Sequence, residues 1–294
     1  MPTLRDIRKR LKAIASTKKI TSAMKMVAAA KLRKVQDRMI NFRPYASKME
    51  TVLSDMAQAS TELGGHPLLT WRPKKKVEVV VITSDRGLCG AFNSNILKVA
   101  AQQIDALKKE GIEYNVSVIG RKARDYFRRR SVPIRSSWLG LSGKLSYESA
   151  QEIAKDIIET YINETVDEFI IVFSEFKSMI LQKPVALKLL PIGNIEGEKP
   201  EAAASASFAP FEYEPSKDVL FERLLPKYIE IQVYRSLLES QAAEEAARMT
   251  AMENASKNCE EMITRVTLVA NKVRQAGITK ELMDIVGGVE ALEK

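Results

Sequence analysis

Histidine occurs once and cysteine twice in these 294 residues. So few ligands leave no plausible set for a structural zinc, and Cys89 has no base at a spacing that would suggest a Cys/His nucleophile. Cys89 and Cys259 stand far apart with no signal peptide ahead of them, which reads as a reducing compartment without a disulfide framework. No run approaches 18 consecutive apolar residues, so no helix is expected to span a bilayer. Neither G-x-G-x-x-G nor G-x-x-x-x-G-K-S/T occurs, which removes the two commonest phosphate cradles. From Thr3 to Arg43 glycine and proline are missing altogether, and aromatics are missing from residues 1–41. A stretch without breakers can be one long helix, and without aromatic rings it offers single strands no stacking platform.

That stretch carries thirteen Lys/Arg against two acidic residues, a net +11 that exceeds the +9 of the whole chain. The basic character therefore belongs to one arm, and the remainder sums to about −2. Leu4, Ile7, Leu11 and Ile14, then Ala28, Leu32, Val35, Met39 and Phe42, form a 3-4 seam along it. The heptad seam marks the arm as mature structure rather than a transit peptide.

Hydrophobic period divides the chain into four parts. Residues 1–63 read as an N-terminal coiled-coil helix, with Pro44 its one breaker. Residues 74–192 alternate apolar runs (Val77–Ile82, Val116–Ile119, Phe169–Phe173, Val185–Leu190) with helical patterns at about 93–110, 121–130 and 148–164. This alternation predicts a small, mostly parallel α/β sheet. Residues 193–215, rich in Ala, Ser, Glu and Pro, read as a linker. Residues 216–294 are helical again, from a start near Pro226 to a break at Gly277. There the seam Ile263, Val266, Ala270, Val273 gives way to Ile278, Leu282, Ile285, Val289 in shifted phase, as in a stutter.

Two terminal helices too long for a compact domain are expected to pair as an antiparallel coiled coil. Setting Arg43 beside Lys227 brings Ala13–Ala30 against the alanines of 242–255. In this register Leu4 falls near Val266, leaving about 28 C-terminal residues without a mate. They are apolar on more than one face, so a partner must enclose them.

The polar positions leave several readings open. Continuing the seam from Ile14 lands on Lys18, Thr21 and Lys25, while apolar residues move over to Ile20, Met24 and Val27. Either the phase drifts locally, or this collar faces something other than its own mate. The turn Thr83-Ser84-Asp85-Arg86-Gly87-Leu88-Cys89-Gly90 joins strand to helix, where nucleotide enzymes hold phosphate; a tight structural turn, with Asp85 salt-bridged to Arg86, is the simpler reading. The basic arm itself suits nucleic acid, acidic protein, or water. Three functions follow: an interaction protein built on the shaft, a nucleic-acid-binding coiled coil with an α/β hinge, or an enzyme around Cys89. No cofactor is expected.

Lys18 to Ala29 (KKITSAMKMVAA), Ser84 to Gly90 (SDRGLCG), Gln241 to Asn258, and Asn271 to Thr279 (NKVRQAGIT) resemble the gamma-subunit family of F-type ATP synthases. The resemblance covers both ends and the middle. It implies a non-catalytic central rotor: a coiled coil inside a hexamer of alternating alpha and beta subunits, with a Rossmann-like domain below. It further implies that Arg274, Gln275 and Thr279 meet a beta subunit at its catch loop, and that Met24 and Lys25 lie near the acidic lever of beta. Lys25 stands where some relatives carry an acidic residue. Glu212, Tyr213 and Glu214 would lie at the foot, near the membrane c ring and the epsilon subunit. Ile278, Leu282, Ile285 and Val289 would sit in an apolar sleeve of the hexamer. The implied place is the cytoplasmic face of a bacterial inner membrane, as a peripheral part of the ATP synthase complex.

Overall fold

Strand β1 (Lys76–Ile82) is buried at six of its seven positions, the mark of a strand covered on both faces. It occupies the middle of a five-stranded sheet in which β2 (Glu113–Ile119) and β4 (Glu168–Phe176) flank it in parallel. The order is β3-β2-β1-β4-β5. The computed structural model describes residues 3–59, 66–141, 143, 145–192 and 217–292. The expected linker, 193–215, and with it Glu212, Tyr213 and Glu214, lies outside the described residues.

The alternating pattern of the middle segment gives the expected helices: α2 (Phe92–Lys109), α3 (Arg121–Arg128) and α4 (Tyr147–Ile162). Ser146 starts α4 by accepting the amide N–H of Ser149 on its hydroxyl at 3.3 Å. Two further features go beyond the apolar runs. Strand β3 (Ile134–Trp138) leaves no run to read, because it is a half-buried edge strand with Arg-Ser-Ser at its centre. Strand β5 (Gln182–Leu190) runs antiparallel to β4, since the five residues between them are too few for a parallel crossover.

Both terminal helices are longer than their prolines suggest. Helix α1 runs Leu4–Ala59 and contains Pro44; helix α5 runs Lys217–Leu292 and contains Pro226. Pro44 deprives the Ile40 carbonyl of its donor, and both residues are exposed, so water can replace the lost bond. Gly277 likewise lies inside α5 and does not end it.

The chain divides into two units, residues 30–247 and residues 1–29 with 248–294. In the larger unit one sheet face carries Val77, Val79, Val81, Val116 and Val118 against α2 and α3. The opposite face packs Val80, Ile82, Phe169 and Ile171 on α4 and on Leu32, Val35, Leu225, Ile229 and Val233 of the long helices. Among the charges buried in this unit, Glu78 is fully enclosed and accepts from Arg135 Nε at 2.6 Å and from the Ser117 hydroxyl. Burial works against the Arg135 charge, but the hydrogen bonds to Asp156 and Glu78 outweigh it and hold the guanidinium well above its usual range.

Candidate partner-binding surfaces

In the smaller unit the 3-4 seam of α1 runs without interruption. Ile7, Thr21 and Ala28 are buried, and Leu4, Leu11, Ile14, Lys18 and Lys25 are half-buried. The matching line on α5 is Met252, Ser256, Cys259, Ile263, Val266, Ala270 and Val273. The phase does not drift, and the polar collar faces its own mate. Lys18 Nζ lies 3.0 Å from Glu260, Lys25 Nζ lies 3.3 Å from Glu253, and the hydroxyls of Thr21 and Ser256 are 2.7 Å apart.

These contacts correct the expected register. Lys18 would have met Met252; it meets Glu260, about one heptad further along α5. A heptad shift preserves which faces touch, so the pattern of small residues could not separate the two registers. The charged pairs do, because sliding back would leave Glu260 beside Leu11 and deprive Lys25 of Glu253. The bare end is consequently shorter than expected by about seven residues. Leu268 and Val269, which the expected register would leave bare, lie beside the paired seam on its exposed side.

Beyond Val273 every described side chain, from Arg274 to Gly288, is exposed. The expected partner-binding residues Arg274, Gln275, Ile278, Thr279, Leu282 and Ile285 all stand on this free length, and the Thr279 hydroxyl returns to the Gln275 carbonyl at 3.0 Å. Val289 continues the helix, with its side chain outside the described residues. Exposed Ile278, Leu282, Met283, Ile285 and Val286 make a helix whose apolar residues face water, with no cover among the described residues.

Met24 and Lys25 divide. Lys25 is turned into the seam and paired, so its charge is already answered. Of the apolar residues displaced from the seam, Met24 is half-buried, whereas Ile20 and Val27 face outward, each 57 % exposed, beside Met26 at 65 %. Over this short length α1 is polar inside and apolar outside. The sequence carried that signal, since Ile20 and Val27 sit two residues after Lys18 and Lys25. Lys31 adds a further internal pair, to Glu245 at 3.5 Å, so three lysines of the basic arm are balanced by α5 glutamates. That weakens the case for nucleic acid.

The glycine-bearing turn is built for structure. Asp85 Oδ1 accepts the amide N–H groups of Arg121 and Gly140 at 3.1 and 3.2 Å, and lies 3.8 Å from Arg121 Nε. Its charge partner thus comes from α3, across the sheet end. Cys89 is buried, its sulfur accepting from Asn93 Nδ2 at 3.1 Å. His66 is engaged elsewhere: its Nδ1 accepts the Leu68 N–H at 3.2 Å, and burial, opposed by nearby Glu222, holds its ring below the usual range. Among the described residues no cluster of His, Cys, Asp and Glu could hold a metal ion, and no helix is long and apolar enough to cross a membrane.

The sequence matches the ATP synthase family profile over residues 3–292. It is 47 % identical over 293 residues to the ATP synthase gamma chain of Pelotomaculum thermopropionicum and 48 % identical over 295 residues to that of an Anaeromyxobacter species, covering all of both chains in each case. Among solved structures, a central stalk/c-ring chain of Tetrahymena thermophila mitochondrial ATP synthase aligns with a TM-score of 0.57 at 28 % identity, over 81 % of this chain and 99 % of that one. A chain from the Euglena gracilis mitochondrial ATP synthase aligns with a TM-score of 0.65 at 20 % identity, over 98 % of this chain and 94 % of that one, a likeness of fold. On the family profile and these full-length relatives, the chain belongs to the ATP synthase gamma-chain family.

Proposed function

We propose that this chain, the non-catalytic central-stalk gamma subunit of an ATP synthase, transmits torque through its two-helix shaft and is seated by the bare end of α5. The observation that carries this is the change at Val273, after which every described side chain of α5 through Gly288 faces water. Alpha and beta subunits form the surrounding hexamer, and epsilon and the c ring turn with the shaft. Ile278, Leu282, Ile285 and Val289 fill an apolar sleeve of that hexamer, while Arg274, Gln275 and Thr279 bind a beta subunit just below it. Met24 approaches the acidic lever of beta together with outward Ile20 and Val27; Lys25 serves the seam. Glu212, Tyr213 and Glu214 form the foot toward the ring and epsilon. The subunit is peripheral to the membrane-bound complex, on its cytoplasmic face.

Magnitudes suit a shaft of this kind. A proton crossing about 150 mV releases roughly 3.5 kcal/mol, so several protons deliver on the order of 10 kcal/mol per ATP. That rivals the whole stability of a domain, and a continuous seam spreads it over many contacts. The asymmetric shaft presents a different face to each beta subunit, and so biases their nucleotide affinities through differential contact.

Truncation after Val273 tests the reading. The expected result is a chain with its coiled coil intact by circular dichroism that seats weakly in the hexamer and couples proton flow poorly to ATP synthesis. Full seating and coupling in the truncated form would remove the assignment of the sleeve residues. The nucleic-acid reading would return if the intact chain bound duplex DNA with a steep salt dependence.

A further inference from the structure

Outside the N-terminal arm the chain is close to neutral, yet the ten residues Arg121–Arg130 carry six cations and one carboxylate. Arg124 and Arg128 stand one helical turn apart, where like charges repel. Lys122 lies in the first turn of α3, where the helix dipole disfavours a cation. Such an arrangement costs stability unless an anion answers it. Between α2 and α3 lies a groove of about 610 Å³, the size of a small-molecule site. Lys98, Lys122, Arg129 and Arg130 line it, four cations against the two carboxylates of Asp105 and Asp125. Asp125 is taken by Arg124 at 2.9 Å, and Asp85 beyond the groove by Arg121. Among the described residues the four lining cations form no ion pair. Arg130 is nevertheless held: its guanidinium carbon lies 3.6 Å from the centre of the Tyr126 ring, and its Nη1 donates to the Tyr126 carbonyl at 3.4 Å. A guanidinium fixed in place without an acid is preorganised for an anion from outside the chain. Leu97 and Ala101 add apolar surface to the same groove, and exposed Gln102 adds an amide.

We propose that the α2–α3 groove binds a nucleoside triphosphate, its phosphates held by the four unpaired cations and its base laid against Leu97 and Ala101. The charge pattern suits a phosphate chain, because guanidinium forks take phosphate oxygens in pairs and lysines add point charges. The apolar surface favours a nucleotide over a bare oligophosphate, which would leave it uncovered. The concave shape favours a small anion over a membrane, whose headgroups form a broad surface. The groove is distinct from the turn Thr83–Gly90, on which the Asn93 side-chain amide is already spent through Ser84 and Cys89. Every residue named lies in the larger unit, so the site needs no other subunit to be complete. Binding alone is assigned to it; no bond is made or broken there.

The experiment titrates the full-length chain alone, free of alpha and beta and their nucleotide sites, with ATP in EDTA by isothermal titration calorimetry. The expected result is saturable binding at one site with a Kd below about 1 mM, weakening as salt is added. Tripolyphosphate should bind at least about fivefold more weakly, for want of a base to cover the apolar surface. Lys122→Ala/Arg130→Ala should lower ATP affinity at least about tenfold. Lys9→Ala/Lys12→Ala, which removes the same charge from exposed positions on the arm, should leave it within about twofold. Irradiation of the unaltered chain with 8-azido-ATP, which depends on no variant, should place the label within residues 93–130. Absence of saturable binding, a label elsewhere, or an equal loss in the arm variant overturns the site. Tripolyphosphate binding as tightly as ATP overturns the nucleotide in favour of a bare phosphate anion. Binding to phosphatidylglycerol vesicles that Lys122→Ala/Arg130→Ala abolishes and ATP does not compete overturns it in favour of a membrane surface.

Discussion

Helix α5 begins as core and ends bare. Leu225, Ile229, Ile231 and Val233 are fully buried in the larger unit, whereas Ile278, Leu282 and Ile285 of the same helix face water. The residue types are alike; what differs is whether the chain itself supplies the other side. Near the start, α1, α4 and the sheet supply it, so burial there is worth stability. Past Val273 no described part of the chain does, so the same apolar side chains carry free energy that is realised only on assembly.

The strongest way to break this contrast lies in the larger unit. Gly120 has a φ of +95°, and a Cβ there would meet the Thr83 carbonyl oxygen at 2.1 Å. Gly120→Ala is therefore expected to cost about 4 kcal/mol or more, by adding a backbone clash to a left-handed conformation, read by chemical denaturation of the isolated chain. Hexamer binding by the bare end should survive to the extent that folded protein does.

A matched pair of truncations sharpens the contrast further. Leu225→Ala should cost about 2–5 kcal/mol of stability. Leu282→Ala, on an exposed helical site, should stay within about 0.5 kcal/mol in the isolated chain and instead weaken seating in the assembled complex. Equal stability losses in both would mean the bare end is covered by its own chain.

The smallest effect belongs to the collar between the two extremes. Lys25 and Glu253 are both more than a third exposed at the side chain, so solvent screens the pair. A double-mutant cycle with Lys25→Ala and Glu253→Ala should return about 0.2–1 kcal/mol, falling with added salt. Its role is register rather than strength, and a Thr21→Cys/Ser256→Cys disulfide would report that register directly.

Much of this was legible in the residues. The period of 3-4 named nearly every seam position of α1, and the apolar runs named four of five strands. Strand β3 was not legible because an edge strand needs burial on neither full face, and its Arg135 is there for Glu78, a partner 57 residues away. The hairpin direction of β5 followed from loop length once its start was known. For the candidate surfaces, the apolar excess of the C-terminal tail was plain from sequence. The inversion of α1 at Lys18–Val27 had its signal in the side-by-side polar and apolar residues, but two readings fitted it. Distances to Glu253 and Glu260 decided between them.

By itself the sequence determined that two breaker-poor amphipathic helices enclose an α/β segment, and that one helix outlasts the other, because hydrophobic period and composition are local properties. Only the tertiary structure decided where the overhang begins and which way the collar points. Registers a heptad apart bury nearly the same faces, and the choice between them rests on a few ion pairs between residues more than 200 positions apart, which no local pattern encodes.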